Sequence, residues 1–387
     1  MLALDLNRDM NGVVQHKFNG SHIPQSIFVK QKQRLMSSRS PPSKKTCFNM
    51  IIGTHNGTFH CDEVCAVWML KQLPKYKDAK VVRSRSSDIL ADCDIVVDVG
   101  AVFDHSKCRY DHHQKEFTET FNSLDSTKPW TTKLSSAGLI YVFYGEEVIR
   151  TLMEKIATDN SLDATSVSQE QVRIIYSKVY ENLIEEIDAV DNGISQSDDV
   201  PRYVVSTTLG KRVGNLNPRW NEESNDDILL KRFEKAMALV GAEFMDRVTY
   251  YQLGWLPAHN IVKEAIEKRF EIHSSGEIIC FPNVAAPWKD HVMSLEKELN
   301  VETSIKYVLY PDVANSKWRV QCVPIRNDSF VNRLSLPEKW RGVRDTELSN
   351  LTGIADCVFV HANGFIGGNA TYEGVLKMAT ESLRQAN

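Results

Sequence analysis

The chain has 387 residues, 42% of them hydrophobic and 25% charged, with a formal net charge of −4. That length leaves room for two sizeable cores, and the composition is that of an ordinary globular protein. The charge excludes a general electrostatic pull toward nucleic acid or anionic lipid, so any polyanion site must be a local basic patch. No apolar run reaches the 18 residues of a membrane span.

Residues 1–46 stand apart. From Met10 to Thr46 there is no Asp or Glu, but there are seven Lys or Arg and several serines. Such a stretch fits a mitochondrial targeting segment, or a nuclear signal around Pro41-Pro42-Ser43-Lys44-Lys45, with a disordered tail as the plain alternative. The expected location is mitochondrion and/or nucleus, with cytoplasm as the fallback. The eight cysteines, Cys47 to Cys357, contain no CxxC pair. They read as reduced and mostly buried, not as a disulfide framework.

Ordered structure is expected from about Phe48. Asn49 to Thr54 is a short apolar run ended by the polar loop His55-Asn56-Gly57-Thr58, and a helix follows from Asp62. Val81-Val82-Arg83 and Asp94 to Gly100 are further short strands. They lack in–out alternation and read as buried on both faces; strands alternating with helices imply a parallel α/β sheet, with its site at the carboxyl ends of the strands. Apolar spacing predicts a helix over Val172–Val190, stopped at Gly193, and another over about Asp227–Tyr251. Pro257 is expected to interrupt it and mark a boundary between 47–256 and 257–387. Strands follow at Glu277–Cys280, Tyr307–Tyr310, Trp318–Val323 and Val358–Val360, then a loop from His361 to Asn369 and a last helix over Tyr372–Arg384.

Four clusters place Asp or His at the end of an expected element: His55 with His60, Cys61, Asp62 and Glu63; Asp98; Asp111-His112-His113; and Asp188 with Asp191. Alone, each reads as turn, cap or surface residues. Converging at one sheet edge, they offer six or seven oxygen and nitrogen ligands suited to Mn²⁺, Mg²⁺, Co²⁺ or Fe²⁺. Two such ions sharing a carboxylate would serve hydrolysis at phosphorus. Asp98 is the expected shared ligand, with His55, His60 and Asp62 on one side and Asp62, His112 and Asp191 on the other. Asp111 is expected to bind or to orient the pair, and His113 to face the scissile phosphate. A structural zinc on Cys61, Cys65, His60 and Cys108 is the weaker alternative, and no GxSxG elbow supports a serine hydrolase.

The Asp-His-His triplet, the upstream His/Asp loop, Asp98 and Asp191 resemble the DHH phosphoesterase superfamily. More specifically, Ile52 to Glu63, Tyr110 to Gln114, Leu134 to Tyr141, Asp188 to Ser195 and Phe365 to Gly368 look like the melanocyte-proliferating-gene (MYG) family. The resemblance runs from residue 48 to the C-terminus. It implies a DHH catalytic domain, a smaller C-terminal α/β substrate domain, divalent metal (commonly manganese, two ions) and 3′-to-5′ exonuclease activity on single-stranded RNA. The superfamily also holds hydrolases of short oligonucleotides, cyclic dinucleotides and pyrophosphate. Two positions depart from its pattern: His60 stands where a carboxylate is usual, and Asn369 follows Gly367-Gly368 where His is usual.

On the substrate side, the acid-free segment Val200–Asn221 carries Arg202, Lys211, Arg212 and Arg219 and could guide a phosphate backbone. Arg333, Trp340, Arg341 and Arg344 form a second basic–aromatic group, with Trp340 a candidate for base stacking. His361 and the Gly367-Gly368 loop are expected to present backbone N–H groups to phosphate. A different function class, a non-catalytic nucleic-acid-binding protein, is disfavoured because clustered carboxylates without metal cost stability. The oligomeric state is not readable from the sequence.

Overall fold

The structure is a computed structural model, and it describes residues 50–327 and 329–386. The expectations for residues 1–46 therefore lie outside the described residues. From Phe48 onward the chain clusters as one unit, of mixed α/β architecture with two five-stranded sheets.

The first sheet comprises β1 (Ile51–Thr54), β2 (Lys80–Arg83), β3 (Ile95–Val97), β4 (Phe103–Asp104) and β5 (Arg109–Tyr110), in the order β2-β1-β3-β5-β4. The pairs β1–β2, β1–β3 and β3–β5 are parallel, as the buried apolar runs imply. The edge pair β4–β5 is antiparallel, so the sheet is mixed rather than purely parallel. Two-residue strands are too short to carry a readable pattern. The chain leaves β1 toward β2 on one side and returns to β3 on the other. Such a switch point opens a crevice at the carboxyl ends of the two strands.

Three helices cover this sheet and each other. Cys61–Gln72 is buried along most of its length because it packs against both Ser136–Asp159 and Asp226–Thr249. The helix expected over Val172–Val190 runs as Gln169–Val179, a π turn at Tyr180–Ile184, and Glu185–Asp191, and Gly193 follows with φ of +67°.

Pro257 does not interrupt the helical run. Asp226–Thr249 passes through a π turn, Tyr250–Trp255, into Leu256–Glu267, with Pro257 in its first turn. The ring is tolerated where the helix re-registers and an N–H is already unpaired. The core nevertheless divides nearby. One apolar cluster spans Ile52 to Trp255, and the two clusters around the second sheet begin at Val262 and Ile278.

The second sheet contains β6 (Ile278–Cys280), β7 (Tyr307–Asp312), β8 (Lys317–Cys322), β9 (Cys357–Val360) and β10 (Ile366–Asn369), ordered β6-β7-β8-β10-β9. Only β6–β7 is parallel. Ile366–Asn369 is thus a strand between two partners, not part of a loop. The last helix, Tyr372–Ala386, packs on β7, β8 and β10. Among the described residues, no helix is long and apolar enough to cross a membrane.

Candidate metal centre

Four of the clusters meet at the crevice where β1 and β3 part. His55 follows β1 directly and Asp98 follows β3; Asp111 and His112 follow β5; Asp62 and Glu63 lie in the first turn of Cys61–Gln72; Asp191 closes Glu185–Asp191. Asp98 has φ of +59°, a left-handed turn that re-aims its side chain as the strand ends.

The distances are short. His55 Nε2 lies 3.1 Å from Glu63 Oε1 and 3.3 Å from Asp98 Oδ2. His112 Nε2 lies 3.0 Å from Asp191 Oδ2, 3.4 Å from Asp98 Oδ1 and 4.0 Å from Asp62 Oδ2. Asp98 therefore touches both imidazoles, one with each oxygen. Four overlapping groups each have their ligand atoms within 4.8 Å of one another: His55–His60–Glu63, Asp62–Glu63–Asp98, Asp62–His112–Asp191 and Asp98–His112–His113.

Electrostatics follow from this crowding. Burial alone would strip a proton from His55, but hydrogen bonds to Asp98 and Glu63 override it and push the imidazole up to about 10. Burial is likewise outweighed at His112, which Asp191 and Asp98 raise to about 9. Asp98, although buried, is held well below the usual carboxylate range by His112 and His55. Asp62 goes the other way: burial first, then the charges of Asp98, Asp191 and Glu63, drive it well above its ordinary value. Asp62 is fully buried, no N–H donor comes within hydrogen-bond distance of either oxygen, and its close contact with the Asp191 carboxyl raises it further. A buried carboxylate without donors lacks a counter-charge, and hard oxygens beside imidazole nitrogens fit a divalent cation.

The buttressing is equally specific. Asp111 accepts the Ala101 N–H at 2.6 Å and the His113 N–H at 3.1 Å, and its Oδ1 lies 2.8 Å from His113 Nδ1. It therefore orients His113 rather than joining the ligand groups. Asp188 lies behind the site. It is wholly buried and accepts from Ser135 N, Ser135 Oγ, Gly138 N and the Tyr180 hydroxyl. A Cβ on Gly138 would fall on that carboxylate.

Glu63 was absent from the ligand set expected from the sequence. An acid at the third helical position reads as a cap, and it is one: both its oxygens take the His60 N–H at 3.0 Å. Its contact with His55 was legible only in its neighbourhood to Asp62. The thiols expected of a zinc site do not converge: Cys61 and Cys65 are buried and join none of the groups.

A cavity of about 510 Å³ opens on the cluster. It is lined by His60, Asp62, Asp98, His113 and Asp191, and also by Val205, Thr208, Gly210 and Lys211. Lys211 is thus at the site. Arg212 turns toward Glu243 at 3.7 Å, and Arg202 is exposed on the preceding loop. A larger cavity, about 860 Å³ between Trp255, Trp288 and Lys178, contains none of the ligand groups.

The residues expected to contact substrate in the second half are mostly engaged elsewhere. Arg333 is committed to Glu296 at 2.6 and 2.8 Å and to the Ile305 carbonyl. Arg341 donates to the Leu336 carbonyl, and Trp340 is buried in the core rather than open for stacking. His361 is exposed in a turn, its Nδ1 accepting from Asn363 N–H. Gly367 and Gly368 pair with β8 and β9, so their backbone is spent on the sheet and not on a phosphate cradle. A Cβ at Gly368 would meet Arg319 and Phe359. Asn369 is buried, donating to the Ala355 carbonyl and accepting the Thr371 N–H ahead of the last helix.

Comparison with known proteins then decides the relationship. Residues 51–383 match the model of MYG1_exonuc, described as "Uncharacterised protein family (UPF0160)". The chain belongs to the MYG1 family. Relatives include a MYG1 exonuclease of Mus musculus, 48% identical over 93% of each chain. A MYG1 protein of Dictyostelium discoideum is 47% identical over 87% of this chain and 98% of its own. A MYG1 protein of Saccharomyces cerevisiae is 41% identical over 89% of this chain and 97% of its own. The family match includes every ligand of the cluster and both halves of the fold.

Proposed function

We propose that the chain is a divalent-metal-dependent phosphodiester hydrolase that removes nucleotides from the 3′ end of single-stranded RNA. The observation that carries this reading is Asp62, fully buried with no N–H donor on either oxygen and the carboxyls of Asp98, Glu63 and Asp191 around it. The names of mammalian relatives, MYG1 exonuclease, support the nuclease direction. In this reading residues 47–256 are a DHH-type catalytic domain and 257–387 the smaller substrate domain.

His55, Glu63, Asp98, Asp62, His112 and Asp191, with His60 at the rim, would hold two ions, Mn²⁺ by preference and Mg²⁺ or Co²⁺ as substitutes. When bound, such ions lower the pKa of water and offset charge on phosphoryl oxygens. The chain's own residues do the rest. Asp98, contacting both imidazoles, fixes the spacing of the two ligand sets. Asp111 holds His113 Nδ1–H, which leaves Nε2 to carry a proton to the leaving oxygen. The ring is 60% exposed and lines the cavity, so substrate reaches it. Lys211, in the same lining, meets the phosphate charge.

The test is mononucleotide release from single-stranded RNA by the purified full chain, with Mn²⁺ and with chelator, against pyrophosphate and a cyclic dinucleotide. Manganese-dependent release from the 3′ end, abolished in Asp98→Ala, is expected. Cleavage of circular RNA would refute the exonuclease assignment, and turnover of pyrophosphate alone would refute the nucleic-acid substrate. For the basic segment before Phe48 we propose a targeting role to mitochondrion or nucleus. Deleting residues 1–46 is expected to move the protein in cells without altering turnover; an unchanged location refutes the signal.

A further inference from the structure

One wall of the metal-centre cavity is made by Val205, Thr208, Gly210, Lys211 and Gly214. The chain on either side of that wall carries two aromatic rings with almost no packing. Tyr203 is 76% exposed and Trp220 is 97% exposed. An indole left in water forfeits a large burial gain, and Tyr203 shares its exposure with Val200 and Val204, a largely apolar stretch of the kind that marks a binding surface.

Both rings are tethered close to the cavity. Tyr203 precedes the lining residue Val205 by two positions, about 7 Å of chain at most. Trp220 follows Asn217 by three positions, about 11 Å at most. The Asn217 side chain is fixed to another lining residue: it accepts the Phe59 N–H at 3.0 Å and donates to the Phe59 carbonyl at 2.8 Å. The rings therefore belong to the segment that lines the cavity, one before and one after its lining residues.

Between the rings the charges have the sign of a polyanion receptor, while Asp198-Asp199 and Glu222-Glu223 bound the segment outside them. Among the described residues, neither Arg202, adjacent to Tyr203, nor Lys211, within the wall, has an ion-pair partner, and Val205–Asn221 contains no acidic residue. Arg212 and Arg219 are held by Glu243 and Glu222. Free cations alternating with exposed rings are the composition of a single-strand path, where phosphates meet the cations and unpaired bases stack on the rings.

We propose that Tyr203 and Trp220 are stacking platforms for two unpaired bases of a single-stranded nucleic acid, with Arg202 and Lys211 on the intervening phosphates. The proposal rests on the phosphodiesterase reading for its substrate class, yet it concerns binding and is separable from hydrolysis. Because stacking needs a ring and not a hydroxyl or indole N–H, the sequence of the strand matters little.

The experiment is a fluorescence-anisotropy titration of the full chain, in chelator, with a labelled single-stranded RNA and with a strand of equal length built from abasic linkers. Tyr203→Ala and Trp220→Ala are each expected to weaken RNA binding about 10-fold or more, the size carried by one base–aromatic stack. The ratio of the two Kd values should collapse toward one in the double variant, and Tyr203→Phe and Trp220→Phe should retain it. Unchanged RNA affinity in the double variant overturns the proposal, as does equal weakening on both strands. A change in self-association with RNA affinity intact would assign the rings to a contact between copies and also overturn it. Should the protein bind RNA as expected yet hydrolyse none, the hydrolase reading fails while the stacking assignment stands.

Discussion

Replacing Asp62 by Asn should make the metal-free protein more stable and the metal-loaded protein less so. Asp62, Glu63 and Asp98 bring carboxylate oxygens within 4.8 Å of one another. At an effective dielectric near 20, one like-charged pair at that distance would repel by about 3 kcal/mol, and the metal-free site avoids this by holding Asp62 protonated, well above its ordinary value. His55 and His112 offset this at Asp98, but no donor reaches either Asp62 oxygen. An amide of the same shape is uncharged without taking up a proton, which a carboxyl so far raised must do at neutral pH, and it offers its N–H₂ to the neighbouring carboxylates. A net gain of about 1–3 kcal/mol is expected once its own desolvation is counted. A ligand at 100 times its Kd stabilises the fold by about 2.7 kcal/mol, and the variant forfeits most of that. Thermal melts in chelator and in excess Mn²⁺ should therefore rank the two proteins in opposite orders. A variant that melts lower than wild type in chelator, and gains as much from Mn²⁺, would refute the view of Asp62 as a carboxylate awaiting a cation.

Two further outcomes follow from the same geometry. His113→Ala should lower turnover by about 10²–10⁴, the span of a lost general acid, while metal content, read by elemental analysis, stays at the wild-type value; loss of metal instead would make His113 a ligand. Asp188 titrates with a folded value pushed by burial up to about 7, against the opposing hydrogen bonds of Ser135, Tyr180 and Gly138. Because that value is raised above the unfolded one, its contribution to stability is full below about pH 4 and lost as pH rises through about 7. The stability gap between wild type and Asp188→Asn should accordingly shift toward the variant across that window in urea titrations, and a gap independent of pH refutes this.

The convergence of His55, Asp62, Asp98 and Asp191 was legible because each stands at an end of an element with a clear pattern, and a sheet collects such ends on one edge; His112 was legible only through the Asp111-His112-His113 triplet. What escaped did so for physical reasons. Glu63 hides behind its capping role, which suffices to explain an acid in a first helical turn. The β4–β5 hairpin has two-residue strands and thus no period to detect. Pro257 reads as a break because a π turn is invisible to a 3.6-residue pattern. The glycines of Ile366–Asn369 read as loop because backbone freedom and close packing leave the same residue in a sequence. In the strand Gly368 makes room for the Arg319 and Phe359 side chains of β8 and β9, and Gly367 for Leu336 and Met378. Arg333 and Trp340 were offered as substrate contacts on residue type alone, and residue type does not say that Glu296 or a core lies within reach.

The π turn at Tyr180–Ile184 explains why a buried carboxylate stands behind the cluster. An extra residue in the helix rotates everything after it by roughly one residue's turn, a deformation that survives only where contacts repay it. Tyr180, at its start, donates to Asp188 Oδ2, while Asp188 Oδ1 receives Ser135 N, Ser135 Oγ and Gly138 N. One carboxylate thus joins the π turn to the start of Ser136–Asp159. From that start Ser136 Oγ reaches Asp98 Oδ1 at 3.2 Å and the Tyr110 carbonyl at 2.9 Å. Three residues beyond Asp188, on nearly the same helix face, Asp191 meets His112. Asp98, just after β3, and Asp191, on the helix, are therefore set by a common anchor. Their separation is held by hydrogen bonds among the chain's own groups, which oppose the mutual repulsion of the crowded carboxylates.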